Sequence, residues 1–338
     1  LHLSIRRQRQ MCIRDRFMSK ILIAVTDSVF PDLAPTERVF SRLGATVQLA
    51  REPTIDAILE VAQKADGLMV TFAQLSADLI QGLERCRAIG RFGIGVDNVD
   101  LDAATKAGIQ VCFVPDYCLD EVSDHAMALL VALVRKIPYS NSLVQGNRWE
   151  GKAVAPIYRL RGRTIGLIGL GKIPQTLVPK AQAFGLNVMA YDPFVEEDIA
   201  NSLNVKMVDF EHLLAHSDYI SIHAPLNPDT QHMFNADAFK QMKAGALLVN
   251  TARGPLVDEA ALAVALDKGQ LAGAALDVLS DEPPSADFVL LNRENVILTP
   301  HTAYYSEDAL LDLQTKAAED VANVLSGKEP RYPVNKLD

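Results

Sequence analysis

Three side chains able to hold an anion or move a proton stand just past apolar runs in the last third of the chain. Arg253 follows Ala246–Asn250 in Asn250-Thr251-Ala252-Arg253-Gly254. Glu282 follows Gly273–Val278 in Asp277-Val278-Leu279-Ser280-Asp281-Glu282-Pro283. His301 follows Val296–Thr299 in Thr299-Pro300-His301-Thr302-Ala303. A planar guanidinium can bridge a carboxylate and a neighbouring carbonyl oxygen. An imidazole exchanges protons near neutral pH. A carboxylate bonded to that imidazole fixes the ring and balances the charge it acquires. The three together suit a small carboxylate-bearing molecule whose oxygen gains or loses a proton.

The apolar runs read as strands. In an open parallel sheet, residues just past the carboxyl ends of strands converge on the ligand crevice. The same series begins at Arg163, with strands expected at Thr164–Leu167, Asn187–Tyr191, Lys206–Val208 and Tyr219–Ile222. An earlier series starts at Lys20, with strands at Ile21–Val25, Thr46–Leu49, Leu68–Thr71, Ile89–Arg91 and Gln110–Val114. Helical stretches at Ala34–Leu43, Ile55–Gln63, Asp78–Leu83 and Leu101–Ala107 separate them. Such alternation implies βαβ units and parallel sheets. Between the two series lies Asp120–Ile137, an apolar helix with acids in its first turn and Arg135-Lys136 in its last, which Pro138 should close. A last helix is expected over Ser306–Leu325.

Gly166-Leu167-Ile168-Gly169-Leu170-Gly171-Lys172-Ile173-Pro174 follows a strand and opens a helix. In the dinucleotide fingerprint the first glycine makes a tight turn and the second admits the pyrophosphate. Gly169 and Gly171 supply these, with Lys172 and Ile173 opening the helix, and Pro174 stands where a third glycine is usual. Proline is tolerated in a first helical turn, so the phosphate contact should survive. Pro179 should bend the helix. Asp192 ends the next strand in Ala190-Tyr191-Asp192-Pro193. A carboxylate there accepts from ribose hydroxyls and repels a 2′-phosphate, which favours NAD over NADP.

At 338 residues and 49% apolar content, the chain has material for two cores. No uncharged apolar stretch is long enough to suggest a membrane span. A net charge of -9 argues against nucleic-acid binding, which needs a basic face. Residues 1–17 carry five arginines and one acid and do not lead into the fold. They read as a non-native leader: Met11–Arg16 looks like translated sequencing adapter, and the start is expected at Met18. Cys12, Cys86, Cys112 and Cys118 form no CxxC pair, which suits a reduced cytoplasmic protein. His212 and His216 have zinc-like spacing on a helix but no third ligand, so no metal is assigned.

Together these segments resemble the D-isomer-specific 2-hydroxyacid dehydrogenase family from about Met18 onward. The resemblance implies an α/β protein of two Rossmann-like or flavodoxin-like parallel-sheet domains with a cleft between them. The substrate domain would comprise 18–117 and 304–338, and the NAD-binding domain 118–303. It gives Arg253, Glu282 and His301 the roles argued above, in NAD-dependent interconversion of a 2-oxo acid and its D-2-hydroxy acid. It adds His223 and Pro225, in Ser221-Ile222-His223-Ala224-Pro225-Leu226, beside the nicotinamide. Thr230, Thr251, Ala252 and Asp277 would also contact the cofactor, Asp277 at the carboxamide. Backbone N–H groups of Phe72-Ala73-Gln74 and of the turn holding Ile94 and Gly95 would grip the substrate carboxylate. Tyr304 would line the acyl pocket. Tyr117–Ala126 and Pro300–Glu307 look most like the C-terminal-binding-protein branch, and the family implies a homodimer formed around Asp120–Ile137. Two alternatives remain: an NAD(H)-sensing dimeric binding protein of corepressor type, and a dehydrogenase of another small anion such as phosphite.

Overall fold

The computed structural model describes residues 20–337, so the expected leader lies outside the described residues. Two compact units emerge, one running to Tyr117 and resuming at Glu307, the other continuous from Cys118 to Ser306. The second boundary falls after Ser306, so Tyr304 belongs to the continuous unit and does not open the final segment of the other.

In the first unit, β1 (Leu22–Val25), β2 (Thr46–Leu49), β3 (Gly67–Val70), β4 (Ala88–Arg91) and β5 (Gln110–Cys112) form a sheet in the order β2-β1-β3-β4-β5. Every pair is parallel, which makes this the flavodoxin-like arrangement. Helices α1 (Ala34–Ser41), α2 (Ile55–Ala62), α3 (Ala77–Gln81) and α4 (Leu101–Lys106) make the crossovers. Three start where a side-chain oxygen accepts an otherwise unpaired N–H: Thr54 from Ala57, Ser76 from Leu79, Asp100 from Ala103. The last helix, Glu307–Leu325, packs on this sheet. A glycine makes the room, since a Cβ on Gly90 would come within 2.7 Å of Val321.

The second unit has β6 (Thr164–Ile168), β7 (Asn187–Tyr191), β8 (Lys206–Met207), β9 (Tyr219–Ile222), β10 (Ala246–Asn250), β11 (Leu271–Leu276) and β12 (Val296–Leu298). Their order, β12-β11-β10-β9-β6-β7-β8, is that of a doubly wound dinucleotide fold with all pairs parallel. Its helices are α5 (Leu119–Val134), α6 (Ile137–Gln145), α7 (Lys172–Ala183), α8 (Glu197–Ser202), α9 (Phe210–His216), α10 (Ala236–Gln241) and α11 (Glu259–Asp267). Leu248 joins one core cluster with Phe234 and Phe239, while Leu247 and Val249 join another with Leu133 and Leu177. Alternate residues thus bury on opposite faces of the sheet.

The helix expected over Asp120–Ile137 differs from the one observed. α5 ends at Val134, and Lys136 turns into the left-handed region at φ 52°. Pro138 then sits in the first turn of α6, where a missing N–H breaks no intrahelical bond. The proline opens a helix; it does not close one.

Candidate active site

β10, β11 and β12 are neighbours in register, with Asn250 beside Leu276 and Leu276 beside Leu298. Their carboxyl ends lie level, and the loops bearing Arg253, Glu282 and His301 leave from one edge. The fully buried Asn250 shapes the first loop. Its Oδ1 accepts the Ala252 N–H at 3.0 Å and its Nδ2 donates to the Arg253 carbonyl at 2.8 Å. The Arg253 guanidinium donates to the Ala252 carbonyl at 2.7 Å. Gly254 lies against the second loop so closely that a Cβ would collide with the Leu279–Ser280 peptide. Lack of a side chain there lets the Arg253 turn touch the loop that carries Glu282.

Glu282 is held from two sides. Its Oε1 accepts the Leu279 N–H at 2.9 Å, and its Oε2 accepts from His301 Nδ1 at 2.7 Å. Burial raises the Glu282 carboxyl, but the bond and charge of His301 and the Leu279 amide outweigh it, leaving it below the usual carboxylate range. Glu259 accepts the neighbouring Ser280 N–H at 2.8 Å. Its carboxyl is displaced upward, by burial first and by the charges of Asp281 and Glu282, against the Ser280 bond.

Asp277 organises the third loop, a task no motif announces. Its side chain is 1% exposed. Oδ1 accepts from Thr299 Oγ1 at 2.6 Å and Thr302 N–H at 3.0 Å, and Oδ2 accepts the Ala303 N–H at 2.9 Å. Its carbonyl takes the His301 N–H at 2.8 Å. Burial pushes this carboxyl up, yet bonds from His125, Thr299 and the two loop amides bring it below its ordinary value. His301 itself adopts φ 52°, a left-handed conformation that a non-glycine residue keeps only when its surroundings hold it. The Tyr304 ring stands edge-on to the imidazole, 6.0 Å between centroids.

The dinucleotide loop lies where the strand order reverses, between β6 and β9. Gly169 has φ 91°, and a Cβ there would meet the His223 carbonyl at 3.1 Å, so the turn requires glycine. A Cβ on Gly171 would point into open space, and no side chain caps the start of α7. An open, uncapped helix start with Lys172 and Ile173 in its first turn suits a phosphate. Pro174 is buried at the third helical position, and α7 runs on through the exposed Pro179. Asp192 accepts the Leu170 N–H at 2.8 Å and the Phe194 N–H at 2.9 Å, so it fixes the glycine loop as well. A carboxylate keeps further lone pairs for ribose hydroxyls. Thr251 Oγ1 is buried without a partner, the state of a group awaiting a ligand. These residues fit NAD.

The remaining candidates are placed as follows. His223 bonds Ser221 Oγ through Nε2 at 2.8 Å, and burial pushes its imidazole down to about 4, so it is neutral at pH 7. Thr230 Oγ1 donates to the Pro225 carbonyl at 2.7 Å and accepts the Asn227 N–H at 2.9 Å, which rigidifies that turn. In the first unit the Phe72 amide donates to Asp27 Oδ2 at 2.6 Å, and the Thr71 amide to Asp27 Oδ1 at 3.0 Å. The Phe72 N–H expected to face the substrate carboxylate thus bonds Asp27 here. Ala73 and Gln74 follow in the same loop, and Asn98 ties it by donating to the Thr71 and Ala73 carbonyls. Ile94 and Gly95 lie half-buried in the turn after β4. On α9 the His212 and His216 rings stack at 4.0 Å, and His216 Nδ1 meets the His212 carbonyl. Among the described residues no group of three His, Cys, Asp or Glu could hold a metal, and no helix is long and apolar enough to cross a membrane.

Residues 127–303, more than half of the chain, match the family described as D-isomer specific 2-hydroxyacid dehydrogenase, NAD binding domain. The chain is 40% identical over 293 residues to a D-3-phosphoglycerate dehydrogenase of Archaeoglobus fulgidus, covering 86% of this chain and 55% of the relative. It thus spans about half the length of that curated relative. A D-lactate dehydrogenase from Aquifex aeolicus, solved with NAD and lactic acid, superposes at a TM-score of 0.83 and 27% identity, covering 90% of this chain and 96% of that one. A glyoxylate reductase from Paecilomyes thermophila gives 0.86 and 27%, over 94% and 99%. Further curated relatives, from Methanocaldococcus jannaschii and Synechocystis, also carry the name D-3-phosphoglycerate dehydrogenase, so the leaning toward the C-terminal-binding-protein branch is not supported. The chain belongs to the D-isomer specific 2-hydroxyacid dehydrogenase family of NAD-dependent oxidoreductases.

Proposed function

We propose that the protein interconverts a 2-oxo acid and its D-2-hydroxy acid, and that 3-phosphoglycerate is the first substrate to try. The observation that carries the chemistry is the 2.7 Å bond between His301 Nδ1 and Glu282 Oε2. With Nδ1 bonded to a carboxylate, proton exchange with the substrate oxygen falls to Nε2. Arg253 grips the carboxylate and polarises the carbonyl, and the bound nicotinamide supplies or takes the hydride. Asp192 selects NAD, and Thr251 Oγ1 gives the cofactor a buried hydrogen-bonding partner. The curated relatives' name supports the phosphorylated substrate, which is itself a D-2-hydroxy acid. The exposed Ile137, Val144 and Trp149 support dimerisation around α5 and α6.

NADH oxidation, followed by absorbance, tests the reading against phosphohydroxypyruvate, hydroxypyruvate, glyoxylate and pyruvate. The reverse arm uses NAD with 3-phosphoglycerate, D-lactate and phosphite. Turnover that disappears in Arg253→Ala supports the proposal and ranks the substrates. Tight NADH binding without turnover on any of them would move the weight to a sensor.

A further inference from the structure

Glu121 and His125 sit one turn apart on α5, and both reach the segment that carries His301. Glu121 Oε1 accepts from Ser306 Oγ at 2.7 Å, and His125 Nε2 lies 3.0 Å from Thr299 Oγ1. Residues four apart share one helix face. One face of α5 therefore grips the loop at both ends, with His301 and Tyr304 between. The direction of the His125 bond follows from its neighbours. Asp277 is ionised and accepts at 2.6 Å from Thr299 Oγ1, so the hydroxyl proton points to Asp277. The remaining lone pairs of Oγ1 can then only accept, and His125 Nε2 must carry a hydrogen. Nε2 also lies 3.4 Å from Asp277 Oδ1. The relay runs from His125 through Thr299 to Asp277, the group that holds the backbone N–H groups of Thr302 and Ala303 and, through its carbonyl, that of His301.

We infer that His125 is a positioning residue for His301, acting through Thr299 and Asp277 to keep the left-handed turn in its productive geometry. The inference rests on the proposed proton exchange at His301, and nothing in the dinucleotide loop requires it. Because His125 need not touch substrate, it governs how fast the bound complex reacts and leaves cofactor affinity unchanged.

The test compares His125→Phe, which keeps a ring but loses the donor, with His125→Gln, which retains an N–H. Steady-state kinetics, NADH fluorescence titration and thermal melting are run on the full chain. Hydrogen exchange of a peptide spanning 299–303 is measured alongside. His125→Phe should lower kcat about 10- to 100-fold, as small misplacements of reacting groups do, while KM, NADH affinity and melting temperature stay near wild type. His125→Gln should recover most of the loss. Exchange at 299–303 should speed up about tenfold in the Phe variant and not in the Gln variant. Wild-type kcat in His125→Phe, or kcat lost in step with NADH binding and melting temperature, would overturn the inference. So would unchanged exchange at 299–303, a result that stands whether or not any substrate in the panel turns over. A wild-type protein inactive on every substrate, with exchange behaving as stated, would instead count against the proposed reaction.

Discussion

At the scale of single residues, the proposed roles separate groups that perform chemistry from groups that bind. His301→Ala removes the nitrogen proposed to exchange the proton but touches neither the Gly169–Gly171 loop nor Thr251. Turnover should fall by at least about 100-fold, with NADH affinity within about twofold of wild type by fluorescence titration. Loss of both together would contradict the role given to His301. Asp192 combines an observed task, holding the glycine loop, with the proposed one of excluding a 2′-phosphate. Asparagine keeps one oxygen for the Leu170 N–H, gives up the Phe194 bond, and drops the charge proposed to repel a 2′-phosphate. Asp192→Asn should therefore narrow the preference for NAD over NADP by about tenfold or more, read as the ratio of kcat/KM for the two cofactors. An unchanged ratio would mean that another residue sets it. The charged residues were legible because their chemistry demands their type. Their supports were not. Gly254 and Asp277 act through contacts with residues more than 20 positions along the chain. The Asn250 side chain bonds only Ala252 and Arg253, but nothing in its motif marks a buried asparagine at a strand end as the shaper of the turn.

At the scale of elements, the level ends of β10, β11 and β12 turn three unrelated loops into one site, and Asp277 locks the last of them. Its folded carboxyl is held below the ordinary value of about 3.9, where the unfolded chain titrates. A depressed folded value means stability that is fully present above pH 4 to 5 and lost as pH falls through the folded value. Asp277→Asn cannot accept from three donors as the carboxylate does, and at pH 7 it should cost about 3 kcal/mol. As pH falls below the ordinary carboxylate value, wild type loses the part of this contribution that depends on the charge, so the gap between the two melting temperatures should narrow. A gap that persists unchanged at pH 3 would show that packing, not charge, sets the cost. The elements themselves were largely legible from alternation of apolar runs, including every strand of both sheets. The break between α5 and α6 was not. A proline reads as a stop or a start depending on whether the residue two before it turns left-handed, as Lys136 does, and that choice is made by packing.

At the scale of the molecule, the chain interrupts one unit to build another. The unit from Cys118 to Ser306 is continuous and carries the glycine loop, Asp192, Thr251 and all three of Arg253, Glu282 and His301. Its sheet is covered on both faces by its own core clusters, one with Phe234 and Phe239, the other with Leu133 and Leu177. The first unit needs two distant pieces of chain, since the sheet of β1–β5 is completed by the helix Glu307–Leu325. Alternation of strands and helices could not reveal which piece belonged where; only the resemblance implied it. The consequence is an asymmetry in what can be cut out. An excised chain of residues 118–306 should fold alone, melt cooperatively by circular dichroism and bind NADH. Ligand at about 100 times its Kd should stabilise it by about 2.7 kcal/mol, a rise in melting temperature of about 5 to 10 °C for a unit of this size. If the backbone of Ala73, Gln74, Ile94 and Gly95 grips the substrate carboxylate, as the family resemblance implies, the fragment, which lacks them, should show no turnover. A fragment that melts without cooperativity would mean that these two core clusters do not suffice. One that turns over 2-oxo acids at the full rate would move substrate binding entirely into the dinucleotide unit.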